Sequence, residues 1–258
     1  MGFGYQIGKV LRLVCGKVRP KTAAVILAGG SGARMRLKEN ITKQLLLLDG
    51  VPVLIRSAQS FEASDYIDEI VIVAKKEELS IVEALVLEYG LKKVSRIVSG
   101  GETRQISARR GLEAISSKMK YIAIHDAARC LVTPEMIADV VSAAYANRAA
   151  CAGRACTDTV KQIDPHGYAE KTIDRDTLFM AQTPQVFDVS LYRAAAYVAK
   201  QKEESATDDS MLVEKLGQAV KMVDCGEENI KITTPTDLYV AEAILRTRSE
   251  KNGQTGNV

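Results

Sequence analysis

The residues best placed to do chemistry stand in one short run, Leu27-Ala28-Gly29-Gly30-Ser31-Gly32-Ala33-Arg34-Met35, which closes an apolar stretch beginning at Ala23. A glycine-rich turn at the carboxyl end of a buried strand is where α/β sheets bind phosphate. Glycines let successive backbone N–H groups face an anion with no side chain in the way. Arg34 and the Lys43-Gln44 pair add two cations just beyond the turn. A dinucleotide fingerprint would need glycine where Met35 stands, and a Walker loop would need Gly-Lys followed by Ser or Thr, so neither motif is present. The turn and its cations together have the pattern of a clamp for a nucleoside triphosphate. Taken singly, Arg34, Lys43 and Lys231 are indistinguishable from ordinary surface cations. No Ser-His-Asp or Cys-His constellation competes with this reading, and His125 and His166 are too few for a histidine-rich metal site. Cys15, Cys130, Cys151, Cys156 and Cys225 are scattered with no CxxC pair, as expected of reduced thiols in a cytoplasmic protein.

Such a turn needs a sheet to hold it. AAVILA (23–28), EIVIVA (69–74), SRIVS (95–99) and YIAIHD (121–126) are short apolar runs bounded by charged residues or glycine, which predicts buried strands. Between them, residues 52–64, 76–88, 104–116 and 134–147 repeat apolar residues at helical spacing, with Pro52 and Pro134 suited to first-turn positions. The alternation predicts an α/β fold: a Rossmann-like open, twisted, mostly parallel sheet with helices on both faces. Residues 155–175 read differently, as two strands about a Pro165-His166-Gly167 turn, and predict a protruding β-hairpin arm. Residues 22–246 are expected to form a single domain behind a basic extension (1–21) and ahead of a polar tail (247–258). With 47% hydrophobic and 26% charged residues, the 258-residue chain is neither disordered nor fibrous, and no apolar run is long enough to span a bilayer as a helix. The formal charge of +3 hides a division, since five of the 35 bases precede residue 22 with no acid, leaving 30 bases against 32 acids. Lys9, Arg12 and Lys17 alternate with Ile7, Val10, Leu11, Leu13 and Val14, so the extension is either solvated or in weak contact with an anionic membrane surface. The acidic remainder, without a recognised module, argues against nucleic acid as a partner.

Eight segments occur together in order. LAGGSGARM with Lys43-Gln44 is followed by SGGETRQIS (99–107), HDAAR (125–129), TDTVK (157–161), TIDR (172–175), QTPQVF (182–187), TDD (207–209) and NIKITTPTDL (229–238). In order and spacing this set resembles the methylerythritol-phosphate cytidylyltransferase family over about residues 22–245. The resemblance implies a CTP-dependent nucleotidyltransferase of the non-mevalonate isoprenoid route. It implies that Ala28, Gly29, Gly30, Ser31 and Gly32 wrap the triphosphate while Arg34 and Lys43 bracket the α-phosphate. Gly101, Glu102 and Ser107 fall where the family reads cytosine, and Asp126 lies near the ribose, the metal-bound nucleotide and the second substrate. Arg129, Thr159, Arg175, Thr183, Thr207 and Lys231 fall on the sugar-phosphate side, Lys231 also touching the reacting phosphates. Arg175 is expected to reach across a homodimer formed through the hairpin arms. The implied cofactor is Mg²⁺ held mainly by the triphosphate, with no dedicated protein metal site. With so short a polar tail, a fused cyclodiphosphate synthase domain is not expected.

Three residues depart from the family pattern. Glu102 stands where many relatives have aspartate, Thr42 where proline or asparagine usually precedes the lysine, and Cys130 where proline commonly follows HDAAR. The last change is expected to soften the turn and expose a thiol near the substrate. Two other readings stay open at this level: a ribitol-5-phosphate cytidylyltransferase, and a nucleotide-binding homologue without turnover. Several residues also have plain structural roles open to them. Asp126 could cap a helix, His125 could simply pack, Arg175 could pair with Asp174 or Asp176, and the threonines could be ordinary strand or turn residues.

Overall fold

A computed structural model of the chain describes residues 19–30, 42 and 44–255. Its first strand, β1 (Thr22–Leu27), is buried along its whole length. Alternate side chains of a strand point to opposite faces, and here each face finds its own core. Ala24 and Ile26 join Leu54, Phe61 and Ile72 on one side, while Ala23, Val25 and Leu27 join Val73, Leu112 and Ile124 on the other. Two cores on one strand require helices on both faces of the sheet.

A two-strand turn, β2 (Leu47–Leu48) and β3 (Val51–Pro52), leads into α1 (Val53–Ala63), β4 (Glu69–Ala74), α2 (Leu79–Glu88), β5 (Val94–Ser99), α3 (Arg104–Ala114), β6 (Tyr121–Asp126), α4 (Pro134–Asn147) and β7 (Ala149–Ala155). Then follow β8 (Val160–Ile163), β9 (Ala169–Ile173), β10 (Phe179–Asp188), α5 (Val189–Gln201), α6 (Asp209–Glu214), β11 (Lys221–Asp224) and α7 (Pro235–Thr255). The four expected strands and four expected helices are all present, with small shifts at their ends, but β5 is not buried as expected: it lies at the sheet edge, where only one neighbour covers it, and is partly exposed. Pro134 opens α4, with the Thr133 side chain as its cap, whereas Pro52 is the cap position of α1. The helix expected from residue 76 begins as a 3-10 turn at Lys76–Glu78 before α2 proper.

Seven strands form the main sheet in the order β11-β7-β10-β6-β1-β4-β5. Within it β10 alone runs antiparallel to its neighbours. The chain steps from β1 outward to β4 and β5, then returns to place β6 on the other side of β1. That reversal opens a crevice at the carboxyl ends of β1 and β6, where open α/β sheets bind ligands. Close packing on the opposite face depends on Gly111. A Cβ there would lie 2.2 Å from Val25 Cγ1, so only glycine lets α3 approach β1 this closely.

The arm forms a separate two-stranded sheet, β8 with β9. Its turn is closed by Asp164 Oδ1, which accepts from the N–H groups of His166 (2.9 Å) and Tyr168 (2.8 Å). Ile163 and Tyr168 are exposed on it.

A third, small core lies under α7, where Leu48, Val53, Leu131, Ile232 and Ala241 surround Cys130. This corrects the expectation of an exposed thiol. Cys130 is 4% exposed, and burial pushes its thiol up to about 12. In place of proline the turn holds a small apolar-compatible side chain that fills the core. The extension up to residue 18 lies outside the described residues. Arg19 is paired with Asp68 through two hydrogen bonds of 2.6 and 3.0 Å, and Tyr145 Oη donates to the Pro20 carbonyl at 2.8 Å. Among the described residues no helix is long and apolar enough to cross a membrane.

Candidate active site

The crevice is built by register. Leu27 at the end of β1 lies opposite Asp126 at the end of β6, and Ala127 N donates to Leu27 O at 3.0 Å. The glycine turn therefore leaves the sheet beside HDAAR. The loop after β5 closes the other side. Gly101 N donates to Ser107 Oγ (3.0 Å), and Ser107 Oγ donates to Thr103 O (2.9 Å). A Cβ on Gly101 would sit 2.1 Å from Ile106 Cγ2, so this loop folds down onto α3 only with glycine there. The result is a cleft of about 270 Å³ whose lining includes Gly29, Gly30, Gln44, Gly101, Glu102 and Ser107. Gln44 is buried and its Nε2 donates to Gly30 O at 3.3 Å, which ties Gln44 to the start of the glycine turn.

A second cleft of about 280 Å³ opens next to the first, with Arg129, Gln182, Thr183, Thr207 and Asp208 in its wall. Three residues face both spaces: Arg104, Asp126 and Lys231. Their geometry is a charge cluster. Lys231 Nζ donates to Asp126 Oδ2 at 2.5 Å, Arg104 Nε to Asp126 Oδ1 at 2.9 Å, and Arg104 Nη1 to Asp209 Oδ2 at 2.6 Å. Lys231 reaches the cluster because its neighbour Ile232 is buried under α7 and Ile232 N donates to Ala128 O at 2.8 Å. Packing far from the crevice thus delivers a cation 105 residues away in sequence.

Burial by itself would raise the Asp126 pKa. The charges of Arg104 and Lys231 outweigh it and hold the carboxyl well below the usual carboxylate range. Burial likewise works against the charge of Arg104, and Asp209 with Asp126 reverses that, keeping the guanidinium firmly protonated. His125, beside Asp126, is fully buried, and desolvation pushes it down to about 3. Its Nε2 faces the Arg129 carbonyl (3.3 Å) and its Nδ1 faces Thr183 Oγ1 (3.0 Å). A carbonyl only accepts, so the neutral ring carries its proton on Nε2 and accepts from Thr183 at Nδ1. Thr183 Oγ1 in turn accepts from Asp126 N at 3.0 Å. His125 is therefore a buttress for the Asp126 strand end, and Asp126 is a pairing partner for cations and not a helix cap.

The structure gathers Gly29, Gly30, Gly101, Glu102, Ser107, Asp126 and Lys231 in the first cleft, and Arg129, Thr183 and Thr207 with Asp126 and Lys231 in the second. Ala28 is buried at the strand end, where its N–H donates to Val73 O at 2.7 Å. Ser31, Gly32, Arg34 and Lys43 lie outside the described residues. Thr159 and Arg175 are not in either cleft. Both are exposed at the base of the arm, and Arg175 Nη1 donates to Thr157 O at 2.8 Å, with no pairing to Asp174 or Asp176 in its hydrogen bonds. Arg129 is held by Asn229, whose carbonyl accepts from Nη1 at 2.8 Å. Sequence reasoning overlooked Arg104, Asp209 and Gln185. Arg104 stood in view inside SGGETRQIS, a cation in a segment already assigned to nucleotide. Gln185 gave only the QTPQ repeat of glutamine as a signal. Among the described residues no group of three or more His, Cys, Asp or Glu could hold a metal ion.

The family model described as 2-C-methyl-D-erythritol 4-phosphate cytidylyltransferase matches residues 22–247. A protein of that name from Pelotomaculum thermopropionicum is 42% identical over 241 residues, 92% of this chain and 99% of its own. One from Syntrophus aciditrophicus is 39% identical over 230 residues, 89% of this chain and 97% of its own. Among solved structures, 4-diphosphocytidyl-2C-methyl-D-erythritol synthase from Anaerococcus prevotii superposes with a TM-score of 0.79 at 32% identity, covering 88% of this chain and 96% of that one. The Thermus thermophilus cytidylyltransferase gives 0.69 at 29% identity, covering 88% and 99%. With the family model matched over residues 22–247, a relative 42% identical along 99% of its own length and the same fold in a solved member, this chain belongs to the 2-C-methyl-D-erythritol 4-phosphate cytidylyltransferase family.

Proposed function

We propose that the chain transfers the cytidylyl group of CTP to 2-C-methyl-D-erythritol 4-phosphate, releasing pyrophosphate and forming 4-diphosphocytidyl-2-C-methyl-D-erythritol. The observation that carries this reading is the Arg104–Asp126–Lys231 cluster shared by two adjoining clefts. One cleft has the glycine turn suited to a triphosphate, the other has Arg129 suited to a phosphomonoester, and the reacting atoms would meet between them. A phosphomonoester has its second pKa near about 6, so its oxygen is already an anionic nucleophile at neutral pH and needs no general base. The new O–P bond forms at the α-phosphorus as the bond to pyrophosphate breaks. The protein's task is to hold two polyanions together and stabilise charge on the equatorial oxygens, which cations supply. Lys231 is assigned to that task together with Arg34 and Lys43. In the free protein Lys231 rests on Asp126, and incoming phosphate competes for it. Ala28, Gly29, Gly30, Ser31 and Gly32 are assigned to the triphosphate, Gly101, Glu102 and Ser107 to the base, and Arg129, Thr183 and Thr207 to the sugar phosphate.

A divalent ion fits this site in one way. The described residues offer no cage for it, and Asp126 is already shared between two cations, so Mg²⁺ would be carried by the triphosphate with Asp126 beside it. There it would neutralise phosphate charge. Thr159 and Arg175 are assigned to the site of a second protomer, in a homodimer joined through the arm. Their exposure outside both clefts, and the exposed Ile163 and Tyr168, support that assignment. The free Cys130, Cys151, Cys156 and Cys225 support a reducing, cytoplasmic setting.

The test is pyrophosphate release by the purified protein, with methylerythritol phosphate and ribitol phosphate run side by side. Release should require CTP, methylerythritol phosphate and Mg²⁺ together. No release, or equal release without the sugar phosphate, would overturn the reading, and a tenfold preference for ribitol phosphate would reassign the substrate.

A further inference from the structure

Arg104 is held at both ends. Its Nε bonds Asp126 in the crevice and its Nη1 bonds Asp209, a carboxylate 1% exposed in the wall behind. Asp209 has no opening to either cleft lining, yet three elements converge on it. Tyr192 Oη of α5 donates to Oδ1 at 2.5 Å, Arg104 of α3 donates to Oδ2, and the Asp209 backbone N–H donates to Gln185 Oε1 of β10 at 3.0 Å. Gln185 also receives Ser210 N (3.0 Å) and donates to Asp208 Oδ2 (2.8 Å), so the 207–210 segment that walls the second cleft is fixed by the same knot. Desolvating a buried carboxylate is costly and pairing only offsets that cost, so a neutral side chain of similar volume would pack at lower cost. The arrangement needs a reason beyond stability.

We infer that Asp209 is a positioning residue for cytidylyl transfer, acting through Arg104. The inference rests on the proposed function and deepens it. An arginine side chain has several rotatable bonds and reaches readily for phosphate. Tied only to Asp126, Arg104 would follow an arriving triphosphate into the first cleft and leave Asp126 to Lys231. Anchored by Asp209, it stays on Asp126 Oδ1, and Lys231 is the cation free to leave for the reacting phosphates. Asp209 thereby divides the labour between two cations: Arg104 keeps Asp126 in place, and Lys231 moves. Tyr192 supports the anchor by occupying the other carboxylate oxygen, with its ring stacked on Phe187 at 5.2 Å.

The test pairs calorimetric CTP binding, which needs no turnover, with steady-state kinetics on Asp209→Asn, Arg104→Gln and the double variant. Asp209→Asn should bind CTP at least threefold tighter, because a freed Arg104 joins the phosphates, while kcat falls at least tenfold. A defect of folding alone moves those two quantities together or not at all. Both changes should vanish in the Arg104→Gln background, as expected when one residue acts through another. Unchanged or weaker CTP binding in Asp209→Asn, or the same shift persisting without Arg104, would overturn the inference. Should Asp209→Asn not fold, Tyr192→Phe keeps the ring and removes only the hydroxyl, and it should show the same opposed signs at smaller size. No change in either quantity there overturns the inference equally. A wild-type protein that binds CTP but never releases pyrophosphate would sink the proposed reaction and still leave the binding comparison to decide the role of Asp209.

Discussion

The crevice and the arm carry the same kinds of residue under different support. Thr183 is 4% exposed, with Asp126 N and His125 bonded to its hydroxyl, whereas Thr159 is exposed beside the arm. Arg129 is half-buried and fixed by the Asn229 carbonyl, whereas Arg175 is exposed and bonded to the Thr157 carbonyl of its own arm. Side chains on the sheet are positioned by this chain alone. Those on the arm are presented outward, and the proposed homodimer would supply a surface for them. The difference teaches that packing within one chain preorganises the crevice, while the role proposed for the arm depends on assembly.

The comparison is tested most severely at Lys231. Lys231→Ala should lower kcat by about 10²- to 10³-fold, the usual loss of a preorganised charge partner in transition-state stabilisation, measured by pyrophosphate release with thermal midpoint as a control. A loss under threefold would mean that the crevice is not the reacting centre. Next is Arg175→Ala, expected to lower kcat/KM for the sugar phosphate by about 10- to 100-fold with CTP affinity unchanged, as for a lost charge-assisted contact. Mixing Arg175→Ala with Lys231→Ala protomers should restore about a quarter of wild-type activity, because in a symmetric dimer one hybrid site in two is intact. If the mixture shows only the sum of the two residual activities, Arg175 does not serve a partner and the contrast between crevice and arm fails.

Two smaller effects sharpen the crevice side. His125 has a folded pKa of about 3 against an ordinary 6.5. The unfolded chain therefore binds a proton that the folded chain refuses, and stability falls as pH drops from 6.5 toward 3, by up to about 1.4 kcal/mol per pH unit. Asp126, depressed from an ordinary 3.8, contributes stability that is fully present above that value and is lost as pH falls from there toward its depressed folded value, so it adds to the slope only at the acid end of this window. His125→Gln should flatten the slope in urea melts between pH 6.5 and 4; an unchanged slope would show that the ring is protonated in the fold. Smallest of all, a protein starting after residue 18 should match the full chain in turnover. One starting after residue 20 loses the Arg19–Asp68 pair and should lose about 1 kcal/mol of stability at most. A large loss of activity in the first truncation would give the basic extension a catalytic role. Loss of binding to anionic vesicles there would support a surface contact.

Much of the fold was legible in the sequence, and unevenly. The strands β1, β4 and β6 were predicted because runs such as EIVIVA are apolar on both faces, as strands buried between two layers must be, whereas β5 was expected to be buried and is a partly exposed edge strand. β7 (AACAGRA) escaped notice, because alanine, glycine and cysteine give no β signal of their own. It is a strand through pairing with β10 and β11. The motifs that line the clefts were readable because each is local. Arg104 was not, since α3 carries Arg104, Arg109 and Arg110 in similar company. Arg109 pairs with Glu113 one turn on, and of the three only Arg104 meets carboxylates distant in sequence, 22 and 105 residues away. Cys130 was misjudged for the same reason. Besides its neighbour Leu131, the apolar side chains that bury it include Leu48 of β2, Val53 of α1 and Ala241 of α7, all distant in sequence.

The amino-acid sequence by itself determined the layered α/β architecture, the position of the glycine turn and the family, because periodicity and motifs are properties of contiguous residues. Tertiary structure alone decided which cations share Asp126, that Asp209 anchors one of them from behind, and that Thr183 and His125 brace the strand end beneath. Those are long-range electrostatic and packing relations, and nothing in the order of residues along the chain encodes them until the sheet brings its distant ends together.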